Sequence, residues 1–245
     1  MAWALRVYLW PVASVNLKVA SPLFGKIFAY RLGALPYDNI LTLDKHFIGS
    51  SRTRSSSSLV TDSAAGATAF SCGMKSYNGA ISILPDHTPC GTVLEAAKRA
   101  GYTTGLVVTT SITDATPACF ASHAKIRTEE DLIAQQEVGE HPLGRVVDLM
   151  LGGGRCHFLP NTTSRSCRGD DRDITQLARE KYGWNYIDNR KDFDGLKLGS
   201  AVKLPLLGLF ADYNIPYEVR VLPIQVQIIS NISIFALCTL LYYVI

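Results

Sequence analysis

The sequence predicts an α/β fold, a mostly parallel sheet with helices on both faces. Three observations carry that expectation. Short apolar runs alternate with helix-patterned segments between residues 92 and 210. At residues 59–69 a pair of β-formers passes through a polar turn into a run of small residues. The chain has 245 residues, 47% hydrophobic and 18% charged, enough to bury a substantial core and most simply arranged as one domain.

In chain order, residues 40–43 form a short apolar run, and residues 49–58, rich in Arg and Ser, read as an exposed loop. Leu59 and Val60 read as a strand leading into Thr61-Asp62-Ser63, after which a helix continues toward Gly73. Asn78-Gly79 marks a turn. Residues 92–100 read as a helix with Gly101 as its stop, and residues 104–110 as a buried strand. Asp114-Ala115-Thr116-Pro117 opens a helix running to about His123, with Pro117 in the first turn where proline is tolerated. A helix over 129–138 precedes an apolar strand over 146–151. Gly152-Gly153-Gly154 then reads as a flexible loop, an anion cradle being the alternative, since no Lys-Ser/Thr follows as a P-loop needs. Segments 174–181, 184–187 and 204–210 read as helix, strand and strand. In such a sheet the functional site is expected at the carboxyl ends of the strands.

The two ends differ in character from the middle. Residues 1–34 contain Arg6, Lys18, Lys26 and Arg31 but no acidic residue, a targeting-segment composition. Their apolar stretch is interrupted by Pro11 and lacks a small-residue cleavage site, which departs from a signal peptide. Residues 221–245 carry no charge, and 228–245 is an apolar run near the lower limit of a membrane helix, roughly 18–20 residues. The expected organisation is therefore a divergent segment over 1–34, the main domain over 35–220, and an apolar tail over 221–245 that is a candidate membrane segment.

A net charge of +3, spread along the chain, is too small to argue for nucleic acid, and none is expected as a partner. The six cysteines show no C-x-x-C pairing and no zinc-ribbon spacing. Cys156 and Cys167 either close a disulfide or stand as two thiols. The sequon Asn161-Thr162-Thr163 lies between them and is compatible with a secretory route.

The chemistry-bearing residues converge on the expected strand ends. Ser63 at a helix start meets free amides and the positive end of the dipole, which favour an anion such as phosphate, and Asp62 beside it could orient a cation. Arg127 offers a planar fork of donors matched to two phosphate oxygens. Asp114 and Thr116 are hard oxygen donors of the kind magnesium takes. Each has a plain structural alternative: Asp62 and Asp114 as helix caps, Arg127 as a solvated surface charge. The histidines, His46, His87, His123, His141 and His157, show no i, i+4 metal spacing and read as structural or surface residues.

The stretch Leu59-Val60-Thr61-Asp62-Ser63-Ala64-Ala65-Gly66-Ala67-Thr68-Ala69, with Thr109-Thr110-Ser111-Ile112-Thr113-Asp114-Ala115-Thr116-Pro117-Ala118, resembles the alkaline phosphatase family. The segments around Ser51-Arg52-Thr53-Arg54 and Leu204-Pro205-Leu206-Leu207-Gly208 look most like its fungal vacuolar-type members, and the resemblance covers about residues 35–220. It implies an alkaline-phosphatase-like fold, here incomplete. It also implies phosphomonoester hydrolysis through a phosphoserine intermediate, with Ser63 as nucleophile, Arg127 holding phosphate, Asp62 positioning that arginine, and Asp114 and Thr116 as magnesium ligands. Family members use Zn2+ as well as Mg2+, the zinc lowering the pKa of the serine hydroxyl and stabilising the leaving oxygen. They are commonly homodimers, and the fungal likeness implies a vacuolar or other secretory-pathway membrane location. The family's metal-bridging Asp-Gly-Met-Gly-like motif is not found in residues 1–34, and most of its zinc ligands lie beyond the point where this sequence leaves the pattern, near Arg220. The expectation is therefore a family member with little or no zinc-dependent activity in this form, the alternative being a non-catalytic, membrane-associated fragment.

Overall fold

The computed structural model describes residues 54–216; the expectations for residues 1–34, 40–43, 221–245 and His46 lie outside the described residues. Helix α1 (Ser63–Cys72) starts where the Asp62 carboxylate accepts the Ala65 amide and stops at Gly73, whose φ of 73° is the left-handed turn that glycine adopts without penalty. Helix α2 (Val93–Arg99) opens with a capping box in which Thr92 and Glu95 satisfy each other's amides. Strand β1 (Gly105–Ser111) follows, then α3 (Ala115–Ala121) under an Asp114 cap and α4 (Glu130–Val138). Strand β2 (Leu149–Gly153) runs into a single 3-10 turn over Arg155–Phe158. The remaining elements are α5 (Ile174–Tyr182), β3 (Asn185–Ile187), α6 (Arg190–Asp194) and β4 (Leu206–Leu209).

The four strands form one parallel sheet in the order β1-β2-β4-β3. Side chains alternate between its faces, as the pleat requires. Leu106, Met150, Leu207 and Leu209 pack on one side with Leu94, Phe120, Val138 and Trp184. Leu149, Leu151 and Leu206 pack on the other with Phe193 of α6 and Leu196. Both faces are thus covered, the usual condition of a parallel sheet. A third cluster joins Ala64 and Ala67 of α1 to Ala115, Ala118 and Cys119 of α3, with Ile81, Ala124 and Ile133 around them. These small side chains let the helices approach closely and bring their N-terminal ends, carrying Ser63 and Asp114, to one place.

Two local expectations are corrected. Leu59 and Val60 form no strand: they are 97% and 79% exposed, and β-formers without a neighbouring strand have no ladder to join. The segment is held instead by the Asn78 side-chain amide, which donates to the Val60 carbonyl at 3.0 Å. Nor is Gly152-Gly153-Gly154 a flexible loop. Gly152 and Gly153 are buried strand residues, and a Cβ on Gly153 would collide with the Tyr213 carbonyl. At Gly154 φ is 87° and a Cβ would meet that of Ser111 at 2.8 Å. The triplet is a site of close backbone packing.

Among the described residues there are two disulfides, Cys156–Cys167 and Cys72–Cys90, the second joining the end of α1 to the segment entering α2. Cys119 is a buried free thiol at the α1–α3 contact, its pKa pushed up to about 12 by burial.

Candidate active site around Ser63

Ser63 is the first residue of α1 and is exposed. Arg127, on the segment after α3, reaches it: Nη1 donates to Ser63 Oγ at 2.7 Å, and Nη2 donates to Asp114 Oδ1 at 2.6 Å. The arginine is oriented from its backbone too, its amide donating to the Gly79 carbonyl at 2.8 Å. Gly79 occupies the turn expected at Asn78-Gly79, with φ of 90°.

Asp62 lies 3.8 Å from Arg127, a longer approach than Asp114 makes. Its oxygens are engaged elsewhere, Oδ1 by the Ala65 amide at 2.9 Å and Oδ2 by the Gly79 amide at 2.8 Å. It therefore ties the Ser63 helix start to the turn beneath Arg127. Asp114 caps α3, with Oδ1 also accepting the Ala115 amide at 2.7 Å, and Thr116 sits half-buried in the first turn of that helix. The structure thus joins Ser63 and Asp114 through hydrogen bonds from Arg127, with Asp62 3.8 Å from the arginine and Thr116 two residues from Asp114. The cap readings of Asp62 and Asp114 also hold; in both, one carboxylate starts a helix and faces the arginine.

A carboxylate and a hydroxyl at the start of one helix are a partial oxygen set that suits magnesium, which keeps several waters. Zinc differs: among the described residues, the groups of three His, Cys, Asp or Glu side chains close enough to share an ion are Glu95–His123–His141 and Cys156–His157–Cys167. Neither includes a Ser63 neighbour. The described residues do not fit a zinc centre at Ser63.

Sequence reasoning missed the Glu95 cluster. Glu95 Oε1 lies 2.8 Å from His123 Nε2 and 3.1 Å from His141 Nε2, while Oε2 accepts the Thr92 amide at 2.7 Å. Burial pushes Glu95 up, but the hydrogen bonds from His123 and Thr92, with His141 Nε2 close by, outweigh it and hold the carboxyl well below its usual range. His123 is raised, burial being outweighed by Glu95 and by the Ser82 carbonyl that faces its other nitrogen at 3.0 Å. That carbonyl only accepts, so Nδ1 carries a proton and Nε2 faces the Glu95 carboxylate. The His141 ring accepts the Leu143 amide on Nδ1, which puts its own proton on Nε2, toward Glu95. Three elements contribute, so no local spacing announces the group. A second set lies behind Asp114: the Thr113 hydroxyl donates to Glu130 Oε2 at 2.6 Å, and His157 lies between Glu130 and Asp131, at 3.3 and 2.9 Å.

Solved structures that share this fold are alkaline phosphatases. That of Thermus thermophilus superposes with a TM-score of 0.68 over 96% of this chain and 45% of its own, at 30% identity. A His-to-Asp variant of the enzyme from the Antarctic bacterium TAB5, solved with Mg bound, matches with a TM-score of 0.61 over 74% of this chain and 47% of its own, at 33% identity. The alkaline phosphatase family model matches residues 25–224, and the chain belongs to that family. It is 60% identical to the repressible alkaline phosphatase of Saccharomyces cerevisiae over 208 residues, 82% of this chain and 37% of the relative. With the alkaline phosphatase of Schizosaccharomyces pombe it shares 60% identity over 183 residues, 75% of this chain and 34% of the relative. The chain thus spans about a third of the length of these curated relatives.

Proposed function

We propose that the site hydrolyses phosphomonoesters, with Ser63 as the phosphate acceptor. The observation that carries this is the Arg127 fork, one arm 2.7 Å from Ser63 Oγ and the other on Asp114. A phosphoryl group entering beside Ser63 would meet a guanidinium already turned toward its oxygens. Ser63 Oγ attacks phosphorus, the ester P–O bond breaks and the alcohol leaves. Water then attacks the phosphoserine, restoring Ser63 and releasing phosphate. Arg127 spreads charge from the equatorial oxygens during in-line transfer, and the first amides of α1 add a fixed positive potential. Asp62 holds the α1 start and the Gly79 turn in register under the arginine.

Charge balance argues for a metal. One guanidinium faces two carboxylates, Asp62 and Asp114, so a dianionic phosphate would enter a site that is already net negative. We assign Asp114 and Thr116 as magnesium ligands; Mg2+ there would supply the missing positive charge. Zinc, used by the family, finds no ligand set at Ser63 among the described residues, and we propose that turnover by this chain is impaired for that reason.

The phosphatase portion is placed at residues 35–220, a span inside the family match. A vacuolar or other secretory-pathway location is supported by the two disulfides, which persist in oxidising compartments. The membrane segment expected within 221–245 lies outside the described residues. Among the described residues no helix is long and apolar enough to cross a membrane. A homodimer, common in the family, is proposed on that likeness alone. The test is aryl-phosphate hydrolysis by the purified chain with Mg2+ and Zn2+, alongside bound-metal analysis and a Ser63→Ala control. Stoichiometric zinc with robust turnover would overturn the impairment, and turnover unchanged in Ser63→Ala would overturn the nucleophile assignment.

A further inference from the structure

The sequon Asn161-Thr162-Thr163 lies in a loop whose ends are joined by the Cys156–Cys167 disulfide. Asn161, Thr162, Ser164 and Arg165 are exposed, and the segment from 161 to 173 contains no large apolar side chain. A turn shapes the sequon: the Thr163 amide donates to the Pro160 carbonyl and the Asn161 amide to the Asp170 carbonyl, both at 2.9 Å. The Asn161 side chain is tethered by one hydrogen bond, Nδ2 donating to the Gly169 carbonyl at 3.2 Å. Nδ2 has two hydrogens and this bond uses one.

We propose that Asn161 is an N-glycosylation site. The step transfers an oligosaccharide from a lipid-linked sugar pyrophosphate. Asn161 Nδ2 attacks C1 of the first sugar, the C1–O bond to the pyrophosphate breaks, the lipid pyrophosphate leaves with the electron pair, and Nδ2 loses one proton. The product nitrogen keeps one hydrogen, the number that the bond to the Gly169 carbonyl uses, and the glycan projects from an exposed turn.

A sequon alone is a short motif. Here a second, independent observation puts the chain where the transfer occurs: two disulfides, one enclosing the sequon, require an oxidising compartment during folding. The proposal does not depend on the phosphatase reading, and an inactive chain would carry the glycan equally well.

The full chain is expressed in a eukaryotic secretory host and treated with peptide N-glycosidase in heavy-oxygen water, and its peptides are read by mass spectrometry. A second sequon, Asn231-Ile232-Ser233, makes the Asn231→Gln background the one on which gel mobility is read. The expected result is conversion of Asn161 to labelled aspartate, and a one-glycan mobility shift lost in Asn161→Gln and in Thr163→Ala but kept in Thr163→Ser and Thr162→Ala. Unmodified Asn161 in the wild-type chain, from whatever cause, overturns the proposal. So does a glycosidase-sensitive shift that persists when both asparagines are replaced.

Discussion

Arg127 divides its guanidinium between a hydroxyl and a carboxylate, and the proposed Ser63 chemistry rests on that geometry more than on charge. A lysine would keep the charge but lose the two-armed fork. Arg127→Lys is expected to weaken binding of inorganic phosphate about tenfold, or about 1.4 kcal/mol, by isothermal titration with Mg2+ present. Unchanged affinity would remove Arg127 from the phosphate site. Asp62→Ala deletes the α1 cap and the acceptor of the Gly79 amide, and should lower stability by about 1 kcal/mol in a denaturant titration. At this scale the sequence was informative about identity and less so about pairing. The sequence singles out Ser63, Asp62, Asp114 and Arg127 as candidates, and the structure places them together. That Asp114 takes the closer contact with the arginine, while Asp62 serves the backbone, depends on the α3 cap position, which no spacing encodes.

The helices meet through small residues and one buried ionic group. Ala118→Leu would force a branched side chain into the α1–α3 contact and cost about 1–3 kcal/mol, with displacement of Ser63 from Asp114 as the structural consequence. The Glu95–His123 pair gives stability a pH dependence of definite sign. Glu95 is depressed, so its contribution is present above its ordinary value of 4.5 and lost as pH falls through the lower folded value. His123 is raised, so its contribution is complete below its ordinary 6.5 and lost as pH rises through the higher folded value. Both are present together between those two ordinary values. The groups facing His123 are Glu95, His141, the Ser82 carbonyl and the Gln136 side chain, whose oxygen accepts the His123 amide at 2.7 Å. His123→Gln should therefore flatten the fall in melting temperature expected of the wild-type chain as pH rises above the ordinary histidine value of 6.5. An identical fall in the two proteins would show that the pair does not control it. Helices with caps, stops and apolar periodicity were readable in advance because those signals are local. Leu59-Val60 failed because strand formation needs a partner, and the glycine triplet failed because close backbone packing looks like flexibility in a sequence.

Across the described residues, a parallel sheet is covered on both faces and two disulfides join its connecting segments. The α/β rhythm predicted the sheet, its parallel sense and its covered faces. The strand order β1-β2-β4-β3 was not legible, since crossover connections leave the same local pattern whichever neighbour they reach. Cys72–Cys90 spans 18 residues between a helix end and a loop, a pairing visible only once α1 and α2 are placed. Its loss in a Cys72→Ser, Cys90→Ser double variant should lower stability by about 3 kcal/mol, the value for closing a loop of this order, measured against the wild-type chain without reductant. Equal stability would mean that the staple contributes little beyond the packing it joins. Ser63 is proposed as a phosphate acceptor beside an arginine fork and magnesium donors, with no zinc ligand set at it among the described residues. The most direct test is the initial rate of aryl-phosphate hydrolysis by the purified chain with Mg2+ and Zn2+, wild type against Ser63→Ala. A rate near background is expected, with whatever exceeds background lost in Ser63→Ala; a substantial wild-type rate would overturn the impairment, and a substantial rate that Ser63→Ala leaves intact would overturn the nucleophile assignment as well.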